Sequence, residues 1–237
     1  MPWSPLALAD VHLDLLYERD DGGLLLRARD PAILAPSFHL VRTTDGNRWL
    51  LSAALSEHGR AGLQEALSRE PVVDALEEME SRPPVLSGVR PLQAEERPPS
   101  AEYRGPAFLF PDPLPLIPGP AELLRDSRSA RTVPKLSWIR AVTPAEHPLS
   151  VARNSSGEVV SVCHSARATA IGAEAGVETA PGYRGRGLAA AVVLVWAAAV
   201  LAEGRLPLYS TQWTNHASRA VARKLGLIPY GEDYRSG

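Results

Sequence analysis

The glycine-containing stretch Tyr183-Arg184-Gly185-Arg186-Gly187-Leu188-Ala189 constrains this chain more than any other segment. It separates residues 173–179, which have the composition of a strand, from residues 188–202, a long apolar run typical of a helix. Glycines let backbone N–H groups turn toward one point, and the unpaired amides of a first helical turn carry a partial positive charge. The arrangement predicts a site for a ligand that carries phosphate.

Two families of proteins use such a loop. Read as Gly185-x-Gly187-x-x-Ala190, the loop matches the dinucleotide fingerprint of Rossmann folds. That fold needs an acidic residue about 20 positions on, at the end of the next strand, and several further βα units. Glu203 is near that spacing, but it ends the predicted helix, and too few residues follow for a doubly wound sheet. The Rossmann interpretation is therefore disfavoured.

Read instead as Arg184-x-x-Gly187-x-Ala189, the loop resembles the pyrophosphate-binding motif of the GNAT superfamily of N-acetyltransferases, which bind acetyl-coenzyme A (acetyl-CoA). A second motif follows in the expected order. Asn215 opens a predicted helix, Ser218 lies three residues on, and the helix ends at Lys224-Leu225-Gly226-Leu227. This run resembles the second GNAT signature, although an aromatic residue is usual at the last position. The resemblance covers residues 103–234.

The resemblance implies an α/β (α+β) fold with a mixed, mostly antiparallel sheet flanked by helices. Pro83-Pro84 and Pro98-Pro99 bracket a polar connection, which predicts a domain boundary near residue 100. We therefore expect a smaller α/β accessory region over residues 1–100 and a GNAT-like acyl-CoA-binding domain over residues 101–237. A strand from the N-terminal half, or from the second subunit of a homodimer, would complete a sheet that is short at its C-terminal end.

Local patterns predict the remaining elements. Turns at Asp21-Gly22 and Asp45-Gly46 predict two hairpins in the N-terminal half. Helical spacing of apolar residues predicts helices over 62–69 and 72–80. In the second half we expect a buried strand at 107–110 and two short helices at 121–125 and 137–142. A hairpin of 149–153 with 158–167 follows, and a strand at 208–211 precedes the second motif.

Composition excludes several classes of protein. The chain has 237 residues, 45% hydrophobic side chains and a formal net charge of −2, so it has no bulk attraction for nucleic acid. As a helix, residues 187–202 would span about 24 Å, less than the ~30 Å of a hydrocarbon core. The single Cys163 and a start without signal-peptide features predict a cytoplasmic protein. We expect neither a nucleic acid partner nor a membrane partner, and no metal, because no Cys/His cluster has ligand spacing.

The resemblance also implies the cosubstrate and its contacts. Acetyl-CoA, or another acyl-CoA, would lie between the strand before the glycine loop and the strand before the second motif. Loop amides would hold the pyrophosphate, and the main chain of residues 177–179 would stabilise the oxyanion. The residues that the resemblance assigns to the cosubstrate are Val177, Glu178, Thr179, Arg184, Gly185, Arg186, Gly187, Leu188, Ala189, Asn215 and Ser218.

The implied reaction transfers the acyl group to an amine acceptor, either a small molecule or a peptide. An alkyl amine has a pKa near ~10, so a base or a water chain must remove its proton. Glu178 is the first candidate, since strand alternation places its side chain opposite those of Val177 and Thr179. Glu174 shares the face of Glu178. The alternative is that either glutamate is a solvated strand residue or an arginine partner.

One departure from the family pattern concerns the departing thiolate. Many GNAT proteins carry a tyrosine two residues before the helix-end lysine, where it protonates the thiolate, but this chain has Ala222. Tyr209 is the candidate substitute, with simple packing as the alternative. Cys163 and His164 are not expected to act as a nucleophile and base, because adjacent strand residues point to opposite faces. A competing hypothesis, favoured by Ala222, is a non-catalytic sensor or structural protein that binds acyl-CoA.

Overall fold

A computed structural model describes residues 3–73, 83–84 and 102–236. The chain divides into two compact units. The first comprises Met1–Phe108, Ser210–Asn215 and Pro229–Gly237, and the second comprises Leu109–Tyr209 and His216–Ile228. The helix predicted over 72–80 lies outside the described residues except for its first two positions. The boundary predicted near residue 100 also falls outside them and stays a prediction.

The first unit begins with a helix that the sequence patterns did not predict. Its described elements are α1 (Pro5–Leu16), β1 (Tyr17–Arg19), β2 (Leu25–Ala28), β3 (Phe38–Thr43), β4 (Gly46–Leu51), α2 (Glu57–Ser68), and nearly all of β5 (Tyr103–Leu109) and β11 (Ile228–Ser236). The Ser4 hydroxyl caps α1 by accepting a hydrogen bond from the N–H of Ala7 at 3.2 Å, and Pro5 occupies the first helical turn. Both predicted hairpins are confirmed, as β1–β2 and β3–β4.

Strands of the first unit lie in the order β4-β3-β11-β5. Strand β11 is antiparallel to β3, with pairs from Glu232↔Arg42 to Ser236↔Phe38. Tyr234 and Phe38 stack with ring centroids 5.8 Å apart, inside an apolar cluster that α2 completes with Leu63 and Leu67. The N-terminal half therefore supplies a strand beside the C-terminal one, which was one of the two predicted ways of completing the sheet.

The second unit contains the glycine loop and both GNAT-like motifs apart from Asn215. Its described elements are β6 (Ala121–Leu123), two 3₁₀ helices (Pro134–Ala141 and Pro144–Glu146), β7 (Ser150–Arg153), β8 (Val159–Ala168), β9 (Gly172–Thr179), a third 3₁₀ turn (Pro181–Tyr183), α3 (Leu188–Ala202), nearly all of β10 (Leu206–Ser210) and α4 (His216–Lys224). The predicted β7–β8 hairpin, β9 and α3 are confirmed, and α3 has the predicted bounds.

One of the two predicted short helices is wrong in type. Residues 121–123 form strand β6, because Ala121 to Leu123 pair with Ala152 to Ser150 at the edge of the sheet, and this pairing outweighs a weak helical preference. The helix predicted over 137–142 is confirmed as a 3₁₀ helix, Pro134–Ala141, which starts earlier than predicted and is kinked at Leu136. Proline favours the first turn of such a segment, which explains the earlier start.

Strands of the second unit lie in the order β10-β9-β8-β7-β6. The neighbours β9–β8, β8–β7 and β7–β6 are antiparallel, and β10–β9 is parallel. The fold is thus a mixed α/β arrangement with mostly antiparallel strands flanked by helices, as predicted. The two faces of this sheet differ in what covers them, and this difference positions the candidate site.

Helix α3 covers one face, which we call the α3 face. The Ser150 hydroxyl donates to the carbonyl of Val192 at 2.5 Å, and the indole of buried Trp196 donates to Ser165 Oγ at 3.1 Å. The opposite face, which we call the 3₁₀ face, packs Val151 and Val162 against Leu136 and Ile139 of the longest 3₁₀ segment. Across residues 3–73, 83–84 and 102–236, no helix is long and apolar enough to span a membrane.

Candidate functional site

The glycine loop joins the end of β9 to the start of α3. Gly185 and Gly187 have φ values of +74° and +78°, a conformation that costs other residues about 1–2 kcal/mol. A β-carbon added to Gly185 would meet no atom of the described residues within 4 Å, so the requirement for glycine there comes from the backbone alone. The loop therefore leaves open space beside main chain that only glycine allows.

Helix α3 starts directly at this loop. Gly187 is its N-cap residue, and the N–H of Ala191 makes the first intrahelical hydrogen bond, to the carbonyl of Gly187 at 3.2 Å. The N–H groups of the first turn of a helix have no intrahelical acceptor and attract anions. No acidic side chain occupies the first turn of α3, so the partial positive charge is not offset there.

Three cations surround the start of α3. Arg186 donates to the carbonyl of Gly182 at 2.9 Å and lies over the ring of Tyr183, with its guanidinium carbon 5.1 Å from the centroid. Arg184 donates to the carbonyl of Thr179 at 3.2 Å. Lys224, from the last turn of α4, brings its ammonium so close that a β-carbon on Gly187 would lie 2.8 Å from Nζ. The loop is thus a positively charged site.

Strands β9 and β10 diverge toward the glycine loop. Their parallel register runs from Leu206↔Gly172 to Leu208↔Glu174, whereas β9 continues for five further residues to Thr179. Those five residues keep their pairing with β8 on the other side and are all half-buried. The edge of β9 from Ala175 to Thr179 is therefore available to an extended ligand that would pair with it as an added strand.

Glu178 pairs with Val162 of β8, and the side chains of both lie on the 3₁₀ face. Val177 and Thr179 lie on the α3 face, as alternation predicted. The indole N–H of Trp138 donates to Glu178 Oε2 at 3.1 Å, and Lys135 Nζ lies 3.5 Å from Oε1. Thr179 shares a 2.7 Å hydrogen bond with Ser161. Both oxygens of Glu178 thus have partners from the 3₁₀ segment.

Glu174 is in the position of an arginine partner. Its carboxylate Oε2 accepts a hydrogen bond from Arg167 Nη1 at 2.6 Å, and its side chain is 5% exposed. A buried carboxylate fixed to a guanidinium is poorly placed to exchange protons with an acceptor. The alternative role given to Glu174 by the sequence matches its surroundings better than catalysis does.

Tyr209 is buried, and its hydroxyl shares a 2.6 Å hydrogen bond with Ser218 of α4. Burial raises the pKa of Tyr209 to about 12, although the bond to Ser218 opposes that shift. A phenol with this pKa is a weaker acid than a thiol of pKa ~8.5, so passing its proton to a thiolate is unfavourable. Ala222 is also buried, with 1% of its surface exposed.

Cys163 and His164 lie on opposite faces of the sheet. Cys163 is fully buried on the α3 face, and burial raises the pKa of its thiol well above the usual range. His164 lies on the 3₁₀ face and is partly exposed, so the two do not form a catalytic pair, as expected. Asn215 belongs to the first unit, where its N–H donates to the carbonyl of Gln212 at 3.0 Å.

A family model described as GNAT acetyltransferase matches residues 149–234. This span begins just before β7 and includes the glycine loop, the diverging strands and α4. We call these matched residues, 149–234, the GNAT region. The match covers somewhat more than a third of the chain, so it assigns the part that carries the loop and leaves the N-terminal unit unassigned.

Solved structures similar to this chain include several GNAT proteins. A putative GNAT acetyltransferase from Novosphingobium aromaticivorans is 19% identical with a TM-score of 0.46, over 59% of this chain and 66% of that one. A GCN5-related N-acetyltransferase from Kribbella flavida is 18% identical with a TM-score of 0.44, over 63% of each chain. The chain thus covers just under two thirds of both proteins.

A tandem GNAT protein from the clavulanic acid biosynthesis pathway is 16% identical with a TM-score of 0.46, over 100% of this chain and 97% of that one. At these scores the likeness bears on neither substrate nor mechanism. The comparison with curated proteins found no match.

Two groups near the candidate site were not among the sequence predictions. The first is the pair Lys135 and Trp138, which reach Glu178 from a segment about 40 residues earlier, so no local spacing could indicate them. The second is Lys224, which is part of the second motif but was not assigned to the phosphate site. Its position in the last turn of the helix that carries the second motif could have indicated a cation there.

An open groove of about 620 Å³ adjoins the loop of the GNAT region. It is lined in part by Arg153 and Asn154 of the β7–β8 turn and by Tyr183 and Arg186 of the loop. Asn154 donates to the Tyr183 hydroxyl at 3.1 Å, which ties the turn to the loop. The groove has the volume of a small-molecule site and carries two arginines.

Proposed function

We propose that this protein is an N-acetyltransferase that moves an acetyl, or another short acyl, group from coenzyme A to an amine acceptor. The observation that supports this most strongly is the divergence of β9 from β10 directly before the glycine loop and the start of α3. An extended thioester arm and a pyrophosphate are the two parts of acyl-CoA that such a strand edge and such a loop would accept.

The residues present fit acyl-CoA. Open space lies beside Gly185, and both Gly185 and Gly187 have a positive φ that would strain other residues. The adjacent cations are Arg184, Arg186 and Lys224. The main chain of residues 177–179 would face the arm. The bound thioester supplies an activated acyl carbon, whose oxygen gains negative charge during attack and would be stabilised by an N–H group of this strand.

On the 3₁₀ face, the chain would receive the acceptor. Glu178 presents a half-buried carboxylate beside the Trp138 indole, an arrangement that attracts an ammonium group and shields it from water. Glu178 is also the base candidate given by the sequence. The acceptor is accordingly an amine, either a small molecule or the amine of a peptide.

The proposal is tested by measuring affinity and turnover separately. Affinity should be measured for acetyl-CoA and for the acetyl thioester of pantetheine, which lacks the pyrophosphate and nucleotide. If the loop binds the pyrophosphate, the truncated thioester should bind at least about 100-fold more weakly, since several charge-assisted hydrogen bonds are lost. Thiol release should then be followed with a panel of small amines and peptides.

Three outcomes are informative. Acceptor-dependent thiol release together with preference for the intact cosubstrate supports the proposal. Equal affinity for both thioesters contradicts the binding mode. Tight binding of acetyl-CoA without release by any amine contradicts the enzymatic function and supports a sensor that retains its ligand.

A further inference from the structure

His164 occupies a position on the 3₁₀ face that neither motif assigns. It lies on β8 and pairs with Gly176 of β9, two residues before Glu178 on the same face. A β-carbon on residue 176 would lie 2.5 Å from His164 Nε2, which is closer than van der Waals contact allows. The imidazole therefore lies directly over the main chain of β9, and it can do so because residue 176 is glycine.

The ring of His164 is held without using its hydrogen-bonding capacity. Its Nδ1 is buried and has no hydrogen-bond partner in the part of the chain that the structure describes. Glu146 Oε1 lies 3.9 Å from Nδ1, beyond hydrogen-bond distance. The edge of Trp138 packs against the ring, with centroids 5.1 Å apart. Buried polar atoms are usually paired, so an imidazole that serves only packing would be costly here.

The charged groups around His164 affect whether its imidazole is protonated. Burial lowers the pKa of His164, while the charges of Glu146 and Glu178 act in the opposite direction. Lys135 lies beside Glu178 and offsets part of its charge. The ring is therefore neutral at pH 7. Since a lone pair directed at the Glu146 carboxylate would be repelled, the proton of the neutral ring is on Nδ1, and Nε2 is the basic atom.

The basic atom is next to the strand edge that the proposed function gives to the thioester. Gly176, over which Nε2 lies, directly precedes the main chain of residues 177–179. Glu178, by contrast, accepts a hydrogen bond from Trp138 on one oxygen and has the Lys135 ammonium group beside the other. Of the two groups, the imidazole has the unused proton-accepting atom.

We propose that His164 is the general base of the acyl transfer, and that Glu146 and Glu178 attract the ammonium form of the acceptor to it. This inference rests on the proposed function. Nε2 takes one proton from the ammonium group and passes it to solvent. The amine nitrogen then bonds to the acyl carbon as the carbon–sulfur bond breaks, and the second amine proton goes, directly or through water, to the departing thiolate.

The first experiment needs no acceptor. The protein is treated with diethyl pyrocarbonate with and without saturating acetyl-CoA, and modification of each histidine is measured by mass spectrometry. Acetyl-CoA should slow modification of His164 at least about tenfold and leave exposed His58 of α2 unaffected. Unchanged reactivity of His164 in protein that binds acetyl-CoA overturns the inference, whereas failure to bind acetyl-CoA contradicts the proposed function itself.

The second experiment uses His164→Gln, with His58→Gln as the matched control. A general base contributes typically 100-fold or more, so kcat should fall roughly 100-fold in His164→Gln while affinity for acetyl-CoA changes less than about threefold. The wild-type rate should fall as the pH drops below the pKa of His164, because a protonated imidazole cannot accept the proton. This acid limb should disappear in His164→Gln and remain in His58→Gln. An acid limb that survives in His164→Gln contradicts the role.

The variant Gly176→Ala tests whether the position of the His164 ring matters, apart from its chemistry. The added methyl would displace the imidazole from β9 without changing its chemistry. We expect kcat to fall at least about tenfold in Gly176→Ala, with the melting temperature as a check that the strand still forms. Full activity in Gly176→Ala would show that the location of the ring over residue 176 is not needed, and would also overturn the inference.

Discussion

The ammonium group of Lys224 lies over Gly187, so that a β-carbon on residue 187 would be 2.8 Å from its Nζ. The end of α4 thereby places a full positive charge at the start of α3, where the helix carries a partial one. A phosphate bound at the start of α3 would be attracted by both of these charges. The second GNAT-like motif thus supports the first through a charge, in addition to its expected contact with the thioester arm.

Replacing Lys224 should weaken acetyl-CoA binding more than replacing its neighbour. We expect Lys224→Met to lower the affinity roughly 5- to 20-fold, and the loss to shrink as salt is added, because an exposed charge is screened. Arg223→Met is the matched control, since Arg223 is exposed on the same turn. Titration calorimetry at two salt concentrations would measure the effect. Equal losses in both variants would mean that only net charge matters.

Gly185 can be tested against a second glycine of the loop, Gly182. Gly185→Ala forces alanine into a φ of +74°, at a cost of about 1–2 kcal/mol, which should appear as a lower melting temperature or up to about tenfold weaker acetyl-CoA binding. Gly182 lies in the same loop without a positive φ, and a β-carbon there would meet no atom of the described chain within 4 Å. Gly182→Ala should therefore be nearly neutral. Equal effects in the two variants would contradict the backbone argument.

Removing the hydroxyl of Tyr209 should change the rate little. Because burial raises the pKa of this phenol to about 12, we expect Tyr209→Phe to reduce kcat less than about threefold between pH 7 and 9. The lost bond to Ser218 should instead lower stability by about 1 kcal/mol. A drop in kcat above tenfold with unchanged folding would assign the thiolate-protonating role to Tyr209.

A tyrosine introduced at position 222, where many GNAT proteins carry one, should destabilise this protein. Ala222 is 1% exposed, so Ala222→Tyr would overpack the core and destabilise the protein by at least about 1–3 kcal/mol. Ala220→Tyr, at an exposed position of the same helix, is the size-matched control and should be tolerated. Thermal unfolding compares the two. A stable Ala222→Tyr with higher kcat would show that the site retains room for the missing acid.

Stability should depend on pH through Glu232. Burial raises the pKa of Glu232 to about 7, although the hydrogen bond from Trp213 and the charges of Arg104 and Arg42 oppose that shift. The folded protein therefore binds more protons than the unfolded chain between about pH 4.5 and 7. Its free energy of unfolding should decrease as pH rises through this window, on the order of 3 kcal/mol.

Glu232→Gln should flatten this slope, whatever its effect on stability at a single pH. Urea unfolding at several pH values would measure it, with the exposed Glu57→Gln as control. An unchanged slope in Glu232→Gln would show that Glu232 is ionised throughout the window.

Much of the GNAT region could be predicted because its signals are local. Helix α3 has an apolar composition between a glycine loop and Gly204, and the β7–β8 hairpin turns at Gly157, so propensity and tertiary structure agree there. Strand β6 could not be predicted, because three residues become a strand only through pairing with β7. Helix α1 was not predicted, although Ser4-Pro5 is typical of a helix start.

The candidate site also has features that the sequence predicts and contacts that it does not. The loop and the face of Glu178 follow from spacing and alternation. The contacts that decide what Glu178 can do come from Lys135 and Trp138, which are distant in sequence. Strand alternation correctly excluded a Cys163–His164 pair, but it assigned no role to His164 itself. The glycine at residue 176, inside a strand, was the available signal of a close neighbour.

The position of β11 has a consequence for biosynthesis. In the first unit this strand lies between β3 and β5, although nearly 200 residues separate Thr43 from Ile228. While the chain is being translated, β3 has only β4 beside it, and its other edge remains open until residue 236 has left the ribosome. The nascent N-terminal segment therefore presents a bare strand edge to the cell for most of its synthesis, and chaperone capture of ribosome-bound intermediates should be greatest over that interval.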